Sequence, residues 1–219
     1  MSAEAPAEFF PALSAVSGVV HAFTGRVPGV DVAVDRELAL ARLDASHYQT
    51  RDSLGLGGRT LITARQVHSA AVATVHAGSK SPVEDVDGLI TDDPSVCLGI
   101  YVADCGPVFL VEPESRVIAL LHSGRKGTEG RITAVAIQQM VHEFGCDPSR
   151  IVVQLGPCIR PPLYEINFAA DIIGQARGAG VTEVYDCGVC TGANVDRYYS
   201  YRVEKGKTGR MVAFLALSA

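Results

Sequence analysis

Three short apolar runs, at residues 97–103, 107–111 and 117–122, follow one another closely, and the step between the first two is Asp104-Cys105-Gly106-Pro107. Runs of this length, rich in Val, Ile, Leu and Phe, read as strands inside a core, which commits the chain to a sheet-based fold. A carboxylate rarely stands in a buried strand, because an ionised group withdrawn from water must find a partner. The break at Asp104-Cys105 is therefore a place where the chain leaves regular pairing and presents an acid and a thiol.

Elsewhere strand-like and helix-like pieces alternate. Further strands are expected at 19–24, 60–65, 71–76, 87–91 and 151–156, and in the last run, 210–218. A helix is expected over 131–145, where Ile132, Val135, Ala136 and Met140 recur at three- and four-residue spacing and Gly145 supplies the exit. A second helix covers 167–180 with Asn167 as its N-cap, and a shorter third covers 35–44. With many strands and few helices, some strands adjacent in sequence must pair directly. That predicts mixed α/β layers, an α+β fold, rather than a doubly wound sheet. A length of 219 residues suits one core, and no linker interrupts it, so 1–219 is read as a single domain.

The net charge of −5 argues against a general affinity for nucleic acid or an anionic membrane, which rests on a basic surface. Glu4 and Glu8 open the chain without an early Lys or Arg, unlike a secretory leader, and no apolar run approaches the ~20 residues of a spanning helix. The expected setting is cytoplasmic, with small-molecule partners, as a monomer or small homo-oligomer. In a reducing compartment the six cysteines are expected to be free, buried or metal-bound.

Three candidate ligands stand at the edges of strand-like segments: His68, Cys105 and His122. Their spacings of 37 and 17 residues exclude a zinc finger, whose ligands come in close pairs, and point to an open site assembled from separate strands. Two imidazoles and a thiolate suit zinc (Zn2+) with a fourth position left for water, the pattern of a catalytic metal. The same residues also fit two half-buried core histidines and a small apolar thiol.

The surrounding blocks narrow the choice. In order, QVHS (66–69), DVDGLITDDP (85–94), ADCGP (103–107), VIALLHSGRKGTEGRI (117–132), LGPCIRPPLYEI (155–166), CT (190–191) and YYSYRVEKGKTGRM (198–211) resemble the signature blocks of the YfiH/laccase-domain family. That family, also labelled polyphenol oxidase or purine nucleoside phosphorylase family and DUF152-like, is matched over residues 60–219. The resemblance implies zinc held by His68, Cys105 and His122. It implies an α-β-β-α layering like that of a cytotoxic-necrotizing-factor-type cysteine hydrolase. It also implies phosphorolysis of adenosine, inosine, guanosine and methylthioadenosine, with adenosine deamination, so that purine nucleosides and phosphate are the partners.

The residues offer matching chemistry. Arg125, Lys126 and Arg131 lie in a Gly-rich turn before a helix, an anion cradle for phosphate, although the same segment reads as a solvated basic loop. Cys105, Asp104 and Lys126 form the expected catalytic set. Asp104 serves as a proton shuttle or orients a ligand histidine. Gln66, two residues before His68 on an alternating strand, faces substrate. Tyr164 and Glu165 match the family's Tyr-Glu pair; Ser200, Arg202 and Arg210 line the pocket or close a hairpin at Gly206–Gly209. Cys187-Gly-Val-Cys190 lacks the second pair of a zinc ribbon, and Cys158 reads as packing.

Two departures stand out. The family's His-Ala-Gly-Trp-Arg-Gly is His122-Ser123-Gly124-Arg125-Lys126-Gly127 here, and Lys126 keeps a charge but not the planar fork of arginine. The N-terminal stretch that shapes the family's nucleoside pocket is shortened to VPGVDVAVDRE (27–37). These departures leave a non-catalytic nucleoside-binding module open, and the implied cysteine-hydrolase-like fold leaves open a cysteine-dependent amide hydrolase of peptidoglycan-editing type, with Cys105 as nucleophile and His122 as base. A multicopper oxidase is disfavoured, since one His-Cys-His set supplies too few ligands for several coppers.

Overall fold

Consecutive strands are divided between two sheets. A computed structural model describes residues 4–218. One sheet has five strands, in the order β1 (Ala7–Glu8), β2 (Val19–Thr24), β11 (Met211–Leu217), β6 (Val96–Val102) and β3 (Thr60–Thr63). The other has six, in the order β10 (Glu183–Asp186), β9 (Val152–Leu155), β7 (Gly106–Glu112), β8 (Val117–Ser123), β5 (Gly88–Thr91) and β4 (Val72–Thr74). Both sheets are mixed in strand direction.

Side-chain alternation explains how the sheets stack. In β6, Val96, Leu98, Ile100 and Val102 enter the same core as Phe109 and Val111 of β7 and Ile118 and Leu120 of β8. The intervening residues face outward: Cys97 joins Val212, Phe214 and Ala216 beneath the loop at Leu56, while Val108, Leu110, Ala119 and Leu121 pack under helices. A two-residue period therefore makes each central strand a wall between two apolar layers.

The helices close the outer faces, giving the mixed α/β layering expected. On the six-stranded sheet lie α4 (Ile132–Phe144) and α5 (Phe168–Gly178), burying Ile132, Ala136, Ile137, Met140, Phe168 and Ile172. Gly145 ends α4 at φ 68, a left-handed cap that glycine adopts without strain. Asn167 caps α5, its Oδ1 accepting from the Ala170 N–H at 3.3 Å. Toward the five-stranded sheet, α2 (Arg36–Ser53) sets His47 5.9 Å from the Tyr101 ring.

Local differences from expectation have physical causes. The helix expected at 35–44 runs on to Ser53, because Ser46, His47, Thr50 and Arg51 are buried although their polar types break the apolar period. Arg51 is satisfied there by the carbonyls of Leu56 and Arg59 at 3.1 and 2.9 Å. The Gly-rich segment after β8 contains a short helix, α3 (Arg125–Glu129), and α1 (Pro11–Ser14) precedes β2. The half-exposed β10 pairs in parallel with β9 and carries too little apolar signal to be read as a strand. Among the described residues no strand pairs with 210–217 across Gly206–Gly209; turns occupy 201–206 and the chain is irregular over 207–210. No helix among the described residues is long and apolar enough to cross a membrane.

Candidate metal centre and cavity

The break at Asp104-Cys105 is the point where the chain leaves one sheet for the other: β6 ends at Val102 in the five-stranded sheet and β7 begins at Gly106 in the six-stranded one. Asp104 makes the turn at φ 81. His68 lies on a second crossing, between β3 and β4, at φ 63. His122 stands near the end of β8, opposite Pro107 of β7. Two sheet-to-sheet crossings and one strand end thus meet at one edge of the sandwich. Left-handed backbone at two non-glycine residues costs on the order of 1 kcal/mol or more each, and such strain concentrates at functional sites.

The ligand atoms of His68, Cys105 and His122 all lie within 4.8 Å of one another, and the two imidazole rings are 4.8 Å apart between centroids. A buried carboxylate, Asp87, organises them. It accepts from the backbone N–H groups of Val67, His68 and Ser69 at 3.2, 3.0 and 2.7 Å, and from the Ser69 hydroxyl at 2.9 Å. It also pairs with His122 Nδ1 at 2.8 Å, which leaves Nε2 as that ring's free ligand atom. One carboxylate therefore fixes the His68 loop and the orientation of His122 together. Although burial opposes its ionisation, the His122 and Ser69 hydrogen bonds hold Asp87 down to about 2. Burial likewise pushes the Cys105 thiol up, but His122 and His68 outweigh it and bring the thiol down to about 6. The thiolate and Asp87 in turn raise His122 against its own burial.

Gly124 permits this packing, since a Cβ there would meet Cys105 Sγ at 2.4 Å. Gly127 and Gly130 allow α3 to lie against the His68 loop: their added carbons would meet the Ser69 carbonyl at 3.0 Å and Ala70 Cβ at 2.9 Å. The donor set fits a borderline metal such as zinc, with two imidazoles, a thiol already biased toward thiolate, and a carboxylate behind one ring.

A cavity of about 820 Å³ opens over the triad, large enough for a small organic ligand. Gln66, Asp104, Arg125, Lys126 and Arg202 line it, together with Tyr164, Glu165 and Arg210. Arg131 does not line it; at φ 64 it joins α3 to α4. Ser200 is buried behind the wall. Gln66 is engaged with β6, its Nε2 donating to the Tyr101 carbonyl at 2.7 Å and its Oε1 accepting from the Tyr101 N–H at 3.3 Å. Asp104 accepts from the Thr191 hydroxyl at 2.6 Å, the Ser200 hydroxyl at 3.0 Å and the Arg202 N–H at 2.7 Å. Its carboxylate ties the 191 and 200–202 segments to the crossing, while the carboxylate on His122 belongs to Asp87. Arg202 pairs with Glu165 and stacks 4.9 Å from the Tyr164 ring centre. All six cysteines are free; Cys158 is fully buried and bridges to Cys190 through backbone pairing. Asp87 is the residue that sequence reasoning passed over. Its only signal was an acid directly before an apolar strand, the same kind of break that drew notice at Asp104.

The family described as multi-copper polyphenol oxidoreductase laccase matches residues 29–172 and 166–218. The chain is 34% identical to a protein of Deinococcus radiodurans named purine nucleoside phosphorylase, over 91% of this chain and 89% of that one. It is 30% identical to the purine nucleoside phosphorylase SCO2081 of Streptomyces coelicolor, over 92% and 97%. The fold is shared with the crystal structure of YlmD from Geobacillus stearothermophilus, at a TM-score of 0.80, 24% identity and coverage of 96% and 94%.

Proposed function

We propose that this chain, which belongs to the family described as multi-copper polyphenol oxidoreductase laccase, is a zinc-dependent purine nucleoside phosphorylase that also deaminates adenosine. The observation that carries the reading is the His68–Cys105–His122 triad within 4.8 Å at the base of a cation-walled cavity of about 820 Å³. The names of the Deinococcus and Streptomyces relatives support the phosphorylase activity. Adenosine, inosine, guanosine and methylthioadenosine are the substrates. Cytoplasmic residence belongs to the same reading, because the thiolate ligand suits a reducing compartment.

His68, Cys105 and His122 would hold the ion, which supplies a Lewis acid at the cavity floor when bound. Asp87 keeps the His122 proton on Nδ1 and so keeps Nε2 available. Lys126 and Arg125, at the start of α3, hold phosphate as a dianion, with charge-assisted hydrogen bonds the strongest such contacts available to it. Tyr164 and Phe168, edge to face at 5.7 Å between centroids, offer an apolar wall for a purine. Phosphorolysis then forms a bond from a phosphate oxygen to the ribose C1′ as the bond to purine N9 breaks, and the leaving purine takes up the proton that the hydrogen phosphate gives up. Asp104 and Gln66 act as positioning residues, the first holding the Arg202 segment and the second fixing the His68 loop against β6. Arg131 is left to the α3–α4 junction.

Metal content and turnover, measured together on the wild type and Cys105→Ala, test the reading. One zinc per chain and nucleoside cleavage, both lost in the variant, are expected; turnover retained by metal-free Cys105→Ala would refute it. A second reading draws on the depressed thiol beside His122, a pairing suited to a cysteine nucleophile acting on an amide. Iodoacetamide alkylation of Cys105 at equal rates with and without zinc would favour that reading.

A further inference from the structure

The chain as a whole carries a net charge of −5, yet the cavity is walled by six cationic side chains, Arg36, Arg125, Lys126, Arg202, Lys205 and Arg210. The acids on the same wall do not balance them. Asp104 is spent on Thr191, Ser200 and the Arg202 backbone, and Glu165 is paired with Arg202. Arg125 has Glu129 at 2.9 Å. Among the described residues no carboxylate pairs with Arg36, Lys126, Lys205 or Arg210.

These unpaired cations come from two sides. Lys126 belongs to α3, which follows β8 of the six-stranded sheet. Arg36 opens α2, and Arg210 directly precedes β11 of the five-stranded sheet. Arg210 is held in place: its Nη1 donates to the carbonyls of Thr208 and Gly209 at 3.0 and 2.9 Å, and its guanidinium lies 5.8 Å from the Tyr201 ring centre. Nε and Nη2 keep no protein acceptor among the described residues. Burial first, and then the charge of Arg36, push the Arg210 pKa below its ordinary value, against the opposing pull of Tyr201, Cys105 and Asp104. Arg36 also stands in the first turn of α2, where the helix dipole disfavours a cation. Local rules broken twice at one cavity wall, by half-buried and exposed arginines that each forgo a partner, mark a place kept for an anion.

We propose that Arg36 and Arg210, with Lys205 lining the same cavity, form a phosphoryl-binding subsite on the five-stranded-sheet wall of the cavity, separate from the Arg125–Lys126 loop. The proposal rests on the nucleoside reading above and adds the groups that meet a phosphoryl dianion on that side. Two guanidinium groups present paired N–H donors that match phosphoryl oxygens, which a single lysine does not. The phosphoryl group is the 5′-phosphate of a nucleotide substrate, or a free phosphate other than the one that Arg125 and Lys126 hold.

Binding by isothermal calorimetry to the zinc-loaded full chain tests this, with inorganic phosphate, adenosine and adenosine 5′-monophosphate titrated into wild type, Arg36→Gln and Arg210→Gln. Arg36 is exposed and unpaired, so Arg36→Gln should melt no lower than wild type and gives a folded variant even where Arg210→Gln loosens the 208–210 turn. If free phosphate is the source, its affinity falls about tenfold or more in both variants. If a nucleotide is the source, adenosine monophosphate weakens by about as much while adenosine is unaffected. Phosphate and adenosine monophosphate both binding Arg36→Gln as tightly as wild type would overturn the subsite. Because the readout is binding, phosphate held through Arg36 and Arg210 without nucleoside turnover would instead overturn the phosphorylase reading and leave the subsite standing.

Discussion

At the scale of single residues, the metal centre depends on a small set of side chains whose neighbours are as specific as they are. Replacing Asp87 with Asn leaves the shape but removes the charge that three backbone N–H groups, a hydroxyl and His122 share. Metal affinity should fall 10- to 100-fold, as for other outer carboxylates of metal-bound histidines, and equilibrium dialysis against zinc measures it. Gly124→Ala places a methyl 2.4 Å from Cys105 Sγ, so either α3 or the thiol must shift. The expected result is weakened zinc retention with the melting temperature of the metal-free protein little changed. The Cys105 and His122 pKa values set a sign for pH: zinc must displace the proton that His122 holds up to about 9 and, below about 6, the proton on the thiol as well, so its affinity falls as pH drops and more steeply below about 6. Competition with a chromophoric chelator between pH 5 and 8 reads this directly; pH-independent affinity across that range would contradict it.

At the scale of elements, the central strands were legible because each is a continuous apolar run, and β7 and β8 were found almost to the residue. The sheet they belong to was not. Nothing in an apolar run states that β6 and β7 part company at Asp104, since each strand is buried on both faces and periodicity is silent about which sheet it joins. The three ligands were readable as residue types at loop edges, and with the resemblance as a set. Arg36 went unnoticed because its helix lacks an apolar stripe, and Gln66 was recognised without its pairing to β6. Asp104 links three segments, so Asp104→Ala should free the 191 and 200–202 loops and leave buried hydroxyls unpaired. A loss of about 2–3 kcal/mol of stability is expected, with zinc retained and KM raised more than kcat falls. Chemical denaturation beside steady-state kinetics separates that outcome from loss of a catalytic group, which would lower kcat at unchanged KM.

At the scale of the whole molecule, two buried histidines, His21 and His47, set the acid limit. His21 accepts the Phe10 N–H at Nε2, 2.8 Å away, and must be neutral to do so; His47 is 3% exposed against Tyr101. Burial lowers both to about 4, below the unfolded value of 6.5. Between those values the unfolded chain binds more protons than the folded one, so stability is full above pH 6.5 and declines toward pH 4, by up to about 3 kcal/mol from each histidine. Urea midpoints across that window, with His47→Gln reducing the slope, check the sign. Product analysis of the zinc-loaded protein incubated with adenosine, with and without phosphate, decides whether this chain is a phosphorylase. The account predicts adenine and ribose 1-phosphate only when phosphate is present, inosine in either case, and neither product from Cys105→Ala. Adenine released equally without phosphate, or no product from the zinc-loaded wild type, would contradict it.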